Sequence, residues 1–180
     1  MPHDYLSRKC SMLTRQAWLK GLAITAFFWM QAPMAHADVL AFSSNVGFQL
    51  FGAAPAPVDL STAGGAQNML AFATPAPDLV EITFSAECSV WGTIFQYGTI
   101  QIVFDPAGAP PPAAVPPTAG FDDAFCSGNG VAIYNDGWVT PSMTVVTRVP
   151  AGVHSVGVTA NTVNGATALR LDDLSLTVTN

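Results

Sequence analysis

Between Val80 and Val90 the chain alternates without a break: Val80, Ile82, Phe84, Ala86, Cys88 and Val90 against Glu81, Thr83, Ser85, Glu87 and Ser89. A period of two puts the first set on one face of a β-strand and the second on the other, so one face is core and the other is wet. "TIQIVFD" follows with Ile100, Ile102 and Phe104 on one face, and Trp91, Phe95 and Tyr97 lie between the two runs beside Gly92 and Gly98. The C-terminal third reads as "SMTVVTRV", "HSVGVTAN" and "LRLDDLSLTV", set off by turn chemistry at Asn135-Asp136-Gly137, at "VPAG" (Val149 to Gly152) and at "VNGA" (Val163 to Ala166). "GFQLFG" and "NMLAFAT" are weaker strand candidates. No ten-residue run beyond position 37 shows the helical period. The pattern predicts an all-β fold, a single antiparallel sandwich of about eight strands.

The first 37 residues behave differently. Arg8, Lys9, Arg15 and Lys20 precede the apolar run "GLAITAFFWM", and Ala35-His36-Ala37 supplies the small-x-small pattern a signal peptidase reads. The apolar run is shorter than the roughly 20 residues that span a bilayer. Residues 1–37 are therefore expected to be a secretory signal cleaved after Ala37, with translation starting at Met1 or Met12. Residues 38–180 form the expected single domain, with no membrane span left after cleavage and a periplasmic or secreted destination.

Removing the signal changes the charge balance. Residues 38–180 hold two basic side chains, Arg148 and Arg170, no lysine, and eleven acids, for a formal charge of −9. Nucleic acid, which is not expected as a partner, and anionic membrane surfaces are both disfavoured, because contacts to phosphate need Lys and Arg. Of the three cysteines, Cys10 leaves with the signal, and Cys88 and Cys126 remain as an even pair. Export to an oxidising compartment predicts that they form a disulfide. That bond would close a loop containing the proline-rich stretch at 106–120, which holds six prolines and is expected to run as an extended surface excursion.

Little in this chain resembles catalytic machinery. His154 is the one histidine after residue 37, it shares the parity of Val156, Val158 and Ala160, and a rim position is expected for it. A hydrolase pairing His154 with an acid is the weakest of the functional readings, since no serine elbow or cysteine nucleophile stands at the right spacing. Glu81 and Glu87 share a strand face but stand roughly 20 Å apart, too far to flank a glycosidic bond. The protein is thus expected to be no enzyme. No cofactor is implied, although calcium takes carboxylate and carbonyl oxygens, and Asp122, Asp123, Asp172 and Asp173 are the candidate ligands.

Val146 to Val178 contains a "PAGVH" turn leading a strand and an "LDDLSL" strand near its end. This segment resembles the closing strands of jelly-roll carbohydrate-binding modules of the galactose-binding-like kind, and the chain after residue 37 is similar to uncharacterised exported bacterial proteins with the same cysteine loop. The resemblance implies a jelly-roll sandwich and an extracytoplasmic location. Modules of that kind stack sugars on exposed aromatics, which makes Trp91, Tyr97, Tyr134 and Trp138, the Trp and Tyr residues after position 37, the candidate ligand-binding residues. The expected function is non-catalytic binding of a glycan or a cell-surface protein; the alternative is a structural or assembly role at the cell exterior.

Overall fold

The computed structural model describes residues 37–61, 67–105, 113–115, 123–128 and 137–180, all within one compact unit, Ala37–Asn180. Among them the secondary structure is entirely β. Eleven strands follow in order: β1 (Val39–Asn45), β2 (Gln49–Phe51), β3 (Ala56–Pro57), β4 (Leu70–Thr74), β5 (Asp78–Trp91), β6 (Tyr97–Asp105), β7 (Ala113–Ala114), β8 (Cys126–Ser127), β9 (Ser142–Val149), β10 (Gly152–Val163) and β11 (Ala168–Thr179).

These eleven pieces fill eight columns. β1 and β2 both pair with β11, at its C-terminal and N-terminal ends, and so make one broken edge. β3 and β4 share one side of β10, and β7 and β8 share one side of β6. Sheet A is therefore β1/β2–β11–β5–β9, and sheet B is β3/β4–β10–β6–β7/β8, every pairing antiparallel. Successive columns cross from one sheet to the other except at β6 and β7/β8, which are neighbours in sheet B, and this strand order is the double Greek key of a jelly roll. The expected sandwich of about eight strands is present, with three of its columns interrupted.

The alternation read from the sequence builds the core. Val80, Ile82, Phe84, Ala86, Cys88 and Val90 from β5 meet Ile100, Ile102 and Phe104 from β6, Val156, Val158 and Ala160 from β10, and the leucines of β11. The turn that carries the chain from β10 in sheet B to β11 in sheet A passes through Asn164 and Gly165, both at positive φ (58° and 79°), the backbone of a primed turn. Gly98 is fixed by packing, because a Cβ there would sit 2.5 Å from Leu169 Cδ1.

Two features were not expected. β11 carries a bulge, with its register against β5 slipping between Asp172 and Ser175 and Asp173 at φ 42°. The extra residue lets Leu171 and Leu174 both point into the core although they are three apart. His154 is a core residue and not a rim residue: it is 2% exposed, with its ring 5.3 Å from that of Phe72 and 5.4 Å from that of Phe104. Its Nε2 lies 2.8 Å from the Pro150 carbonyl, which accepts its proton, and 3.3 Å from Thr74 Oγ1.

The strands before β4 are held by amide chemistry. Gln49 pairs through its side chain with both backbone groups of Asp59, and Asn45 Nδ2 donates to the Asp59 carbonyl. Asp59 Oδ1 accepts from the Ser61 amide and hydroxyl and from the Gln67 amide, so one carboxylate gathers both flanks of the 62–66 segment. The Ser61 amide, then that of Gln67, with help from the Ser61 hydroxyl, hold the Asp59 carboxyl below its ordinary range.

Candidate functional site

Cys88 lies on the inner face of β5 in sheet A and Cys126 in β8 of sheet B, and the two are joined with Cα atoms 6.3 Å apart. The bond therefore ties one sheet to the other. Phe125, next to it, packs against Phe84 at 5.6 Å between ring centroids.

The site is built on the opposite surface of sheet A, the face turned away from the core. On β5 this face carries Glu81, Thr83, Ser85, Glu87, Ser89 and Trp91, the polar half of the alternation first read in the sequence. Trp138 precedes Val139, which bridges Cys88, so the indole reaches the face beside Ser89. Its ring lies 6.4 Å from that of Phe48 in an edge-on arrangement, and the Arg170 guanidinium stands 5.8 Å over its centroid. Phe48 enters from the β1–β2 corner on the far edge of the sheet. The two rings thus close over the columns of β11 and β5, and the cation between them gains from the ring quadrupole.

Beneath this bridge Arg170 is in register with Ser89 on one side and Leu50 on the other. Ser89 is buried, and its hydroxyl lacks a hydrogen-bond partner. One row along, Glu87 and Asp172 are direct cross-strand partners. Directly opposed Cβ atoms stand about 5 Å apart, and like charges there oppose folding. The protein keeps that repulsion beside a bulge, the kind of irregularity that accompanies function more often than stability.

The structure distributes the sequence-derived candidates unevenly. Trp91 and Trp138 fall on this one face, Trp91 half-buried and Trp138 exposed. Tyr97 begins β6 on sheet B and does not join them. Tyr134 and Asp122 lie outside the described residues. Asp123 is exposed ahead of β8, whereas Asp172 and Asp173 sit at the bulge, where the Asp173 amide donates to Asp172 Oδ1. Among the described residues no three metal-binding side chains gather in one place. Phe48, Ser89, Glu87 and Arg170 are members that sequence reading missed. Glu87 and Ser89 were visible as the wet side of β5, but nothing local marks Phe48 or pairs Glu87 with a residue far along the chain.

Chemically the face offers stacking surface from the two aromatics, the planar cation of Arg170 and two carboxylates as acceptors. Glu87 and Asp172 rise side by side from one sheet and approach a ligand from the same side. Glycoside hydrolysis needs two carboxyls flanking the bond from opposite sides. His154 is sealed within the core and meets no substrate.

No family model matches the chain, and no curated protein matches it. Among solved structures, Eiger TNF from S. frugiperda aligns with a TM-score of 0.45 at 6% identity over 79% of this chain and 92% of that one. A carbohydrate-binding module from Cellvibrio mixtus lichenase 5A, solved with cellotriose, aligns at 0.35 and 14% identity over 79% and 98%. The K3 adhesin domain of Lys-gingipain from Porphyromonas gingivalis aligns at 0.28 and 16% identity over 64% and 68%. Likenesses of that degree assign neither a ligand nor a site.

Proposed function

We propose that the protein is an exported, non-catalytic glycan-binding module whose ligand face is the outer surface of sheet A. The observation that carries this reading is the Phe48–Trp138 bridge with Arg170 against it, above the polar row of β5. Aromatic rings cover the apolar faces of sugar rings, while Arg, carboxylate and hydroxyl groups pair with sugar hydroxyls. The scarcity of cations fits a neutral ligand better than an anionic one.

The test is a glycan array probed with the wild-type protein and with Trp138→Ala and Phe48→Ala. Binding to a defined set of sugars is expected for the wild type and is lost in both variants, with unfolding midpoints within a few degrees of one another. Equal binding by all three proteins, or none by any, sinks the proposal.

A further inference from the structure

Resting on that reading, we infer that the ligand is an extended, uncharged polysaccharide lying along the strands of sheet A, and not a single terminal sugar. The reason is the register below the aromatic bridge. Ser44 pairs with Ser175, Ser175 with Ser85, and Ser85 with Ser142, so one row crosses all four columns of the sheet in serine alone. The next row is Phe42, Thr177, Thr83 and Thr144.

Both rows belong to the outer face, and none of their eight side chains is fully buried. A hydroxyl one bond from Cβ keeps the surface low, and each can donate as well as accept. Thr83 and Thr144 already join their hydroxyls at 2.9 Å, and the Ser85 hydroxyl donates to the Pro141 carbonyl at 3.3 Å.

The dimensions follow from strand geometry. From Ser89 to Thr83 is six residues, roughly 20 Å along β5, and four columns make the strip roughly 14 Å wide. At its foot the same face continues into a groove of about 370 Å³ lined by Ala37, Leu79, Glu81, Val146, Thr179 and Asn180. A single sugar at the aromatic bridge would leave all of this unused.

Other occupants fit less well. The core of a protein interface is depleted in serine, which fills the first row, and the second row carries three threonines beside the one aromatic, Phe42. A polyanion would meet Glu81, Glu87 and Asp172 on the same face. A neutral chain of hydroxyl-bearing rings matches a field of short groups that donate and accept, and it gains contacts with every unit added.

The experiment is calorimetric titration of the purified protein with cello-, xylo- and manno-oligosaccharides of two to six units. In the series that binds, the hexasaccharide is expected to bind at least tenfold more tightly than the disaccharide. Thr83→Ala/Thr144→Ala should weaken hexasaccharide binding at least fivefold, Thr83→Ser/Thr144→Ser should restore it, and Val153→Ala on sheet B should leave it unchanged, with thermal unfolding confirming that each variant is folded. Sugar binding that ignores chain length, or an alanine variant that binds like wild type, overturns the polymer inference while the glycan reading stands. If no oligosaccharide binds and none of the parent polysaccharides retards the protein in affinity electrophoresis, the glycan reading itself falls and takes this inference with it.

Discussion

Reducing the Cys88–Cys126 bond is the perturbation whose magnitude the structure fixes best. The bond spans 38 positions, and both sulfurs are buried between the sheets. In the unfolded chain it removes the entropy of a loop of that length, which the chain-entropy model puts at about 4 kcal/mol. Reduction keeps both side chains and asks only that the two sulfurs part to van der Waals distance, so it isolates the crosslink better than replacement by alanine, which also leaves a cavity. With a urea dependence of about 2 kcal/mol per molar, the midpoint should fall by roughly 2 M, and the slope should steepen because the reduced unfolded chain exposes more surface. Paired urea titrations followed by tryptophan fluorescence, with and without reductant, measure both quantities. A midpoint shift below about 0.5 M would refute the reasoning, since it would mean that the 88–126 segment is confined without the bond. Two reactive thiols in the native oxidised protein would refute its premise.

Three further outcomes follow from particular residues. His154→Ala should cost about 3 kcal/mol, as for other large core side chains, and leave binding at sheet A unchanged; a loss of binding with stability intact would place His154 in the site. Gly98→Ala should cost about 1 to 3 kcal/mol by driving a methyl into Leu169; an unchanged midpoint would show that the Leu169 side chain gives way. Because the folded pKa of Asp59 lies below its unfolded value of about 3.9, its contribution to stability is complete above that pH and is lost as pH falls through the folded pKa. Asp59→Asn should therefore flatten the acid limb of the stability curve below about pH 4, although Asp78, lowered mainly by its bond from Asn180, keeps part of that slope. Superimposable wild-type and variant curves would remove Asp59 from that role.

Much of this architecture is legible in the sequence. The alternation from Val80 to Val90 is β5, "VNGA" is the primed turn, and the even cysteine pair is a disulfide. What escaped shares one cause, the dependence of a residue's meaning on a partner distant in the chain. β1, "VLAFSSN", hides its strand pattern because Ser43 and Asn45 turn to the segment near Asp59 and Leu60, where they bond backbone carbonyls. "LDDLSL" conceals its bulge, since only the register against β5 shows that Asp173 is the extra residue. The serine row draws one residue from each of four columns. No window of sequence contains it.

The two ends of the unit Ala37–Asn180 meet. Asp38 and Asn180 bond each other through the Asp38 amide to Asn180 Oδ1 at 3.1 Å and the Asn180 amide to the Asp38 carbonyl at 3.2 Å. Entry and exit thus adjoin at one pole, where β1 begins and β11 ends, while Trp138 and Phe48 stand ten residues up β5 from Leu79, roughly 33 Å away. A unit with adjoining ends can be spliced into a loop of another protein without stretching its host. Pulling the two ends apart would unzip the β1–β11 seam from that pole, one hydrogen bond at a time, so parting begins at the end of the sheet farthest from Trp138 and Phe48.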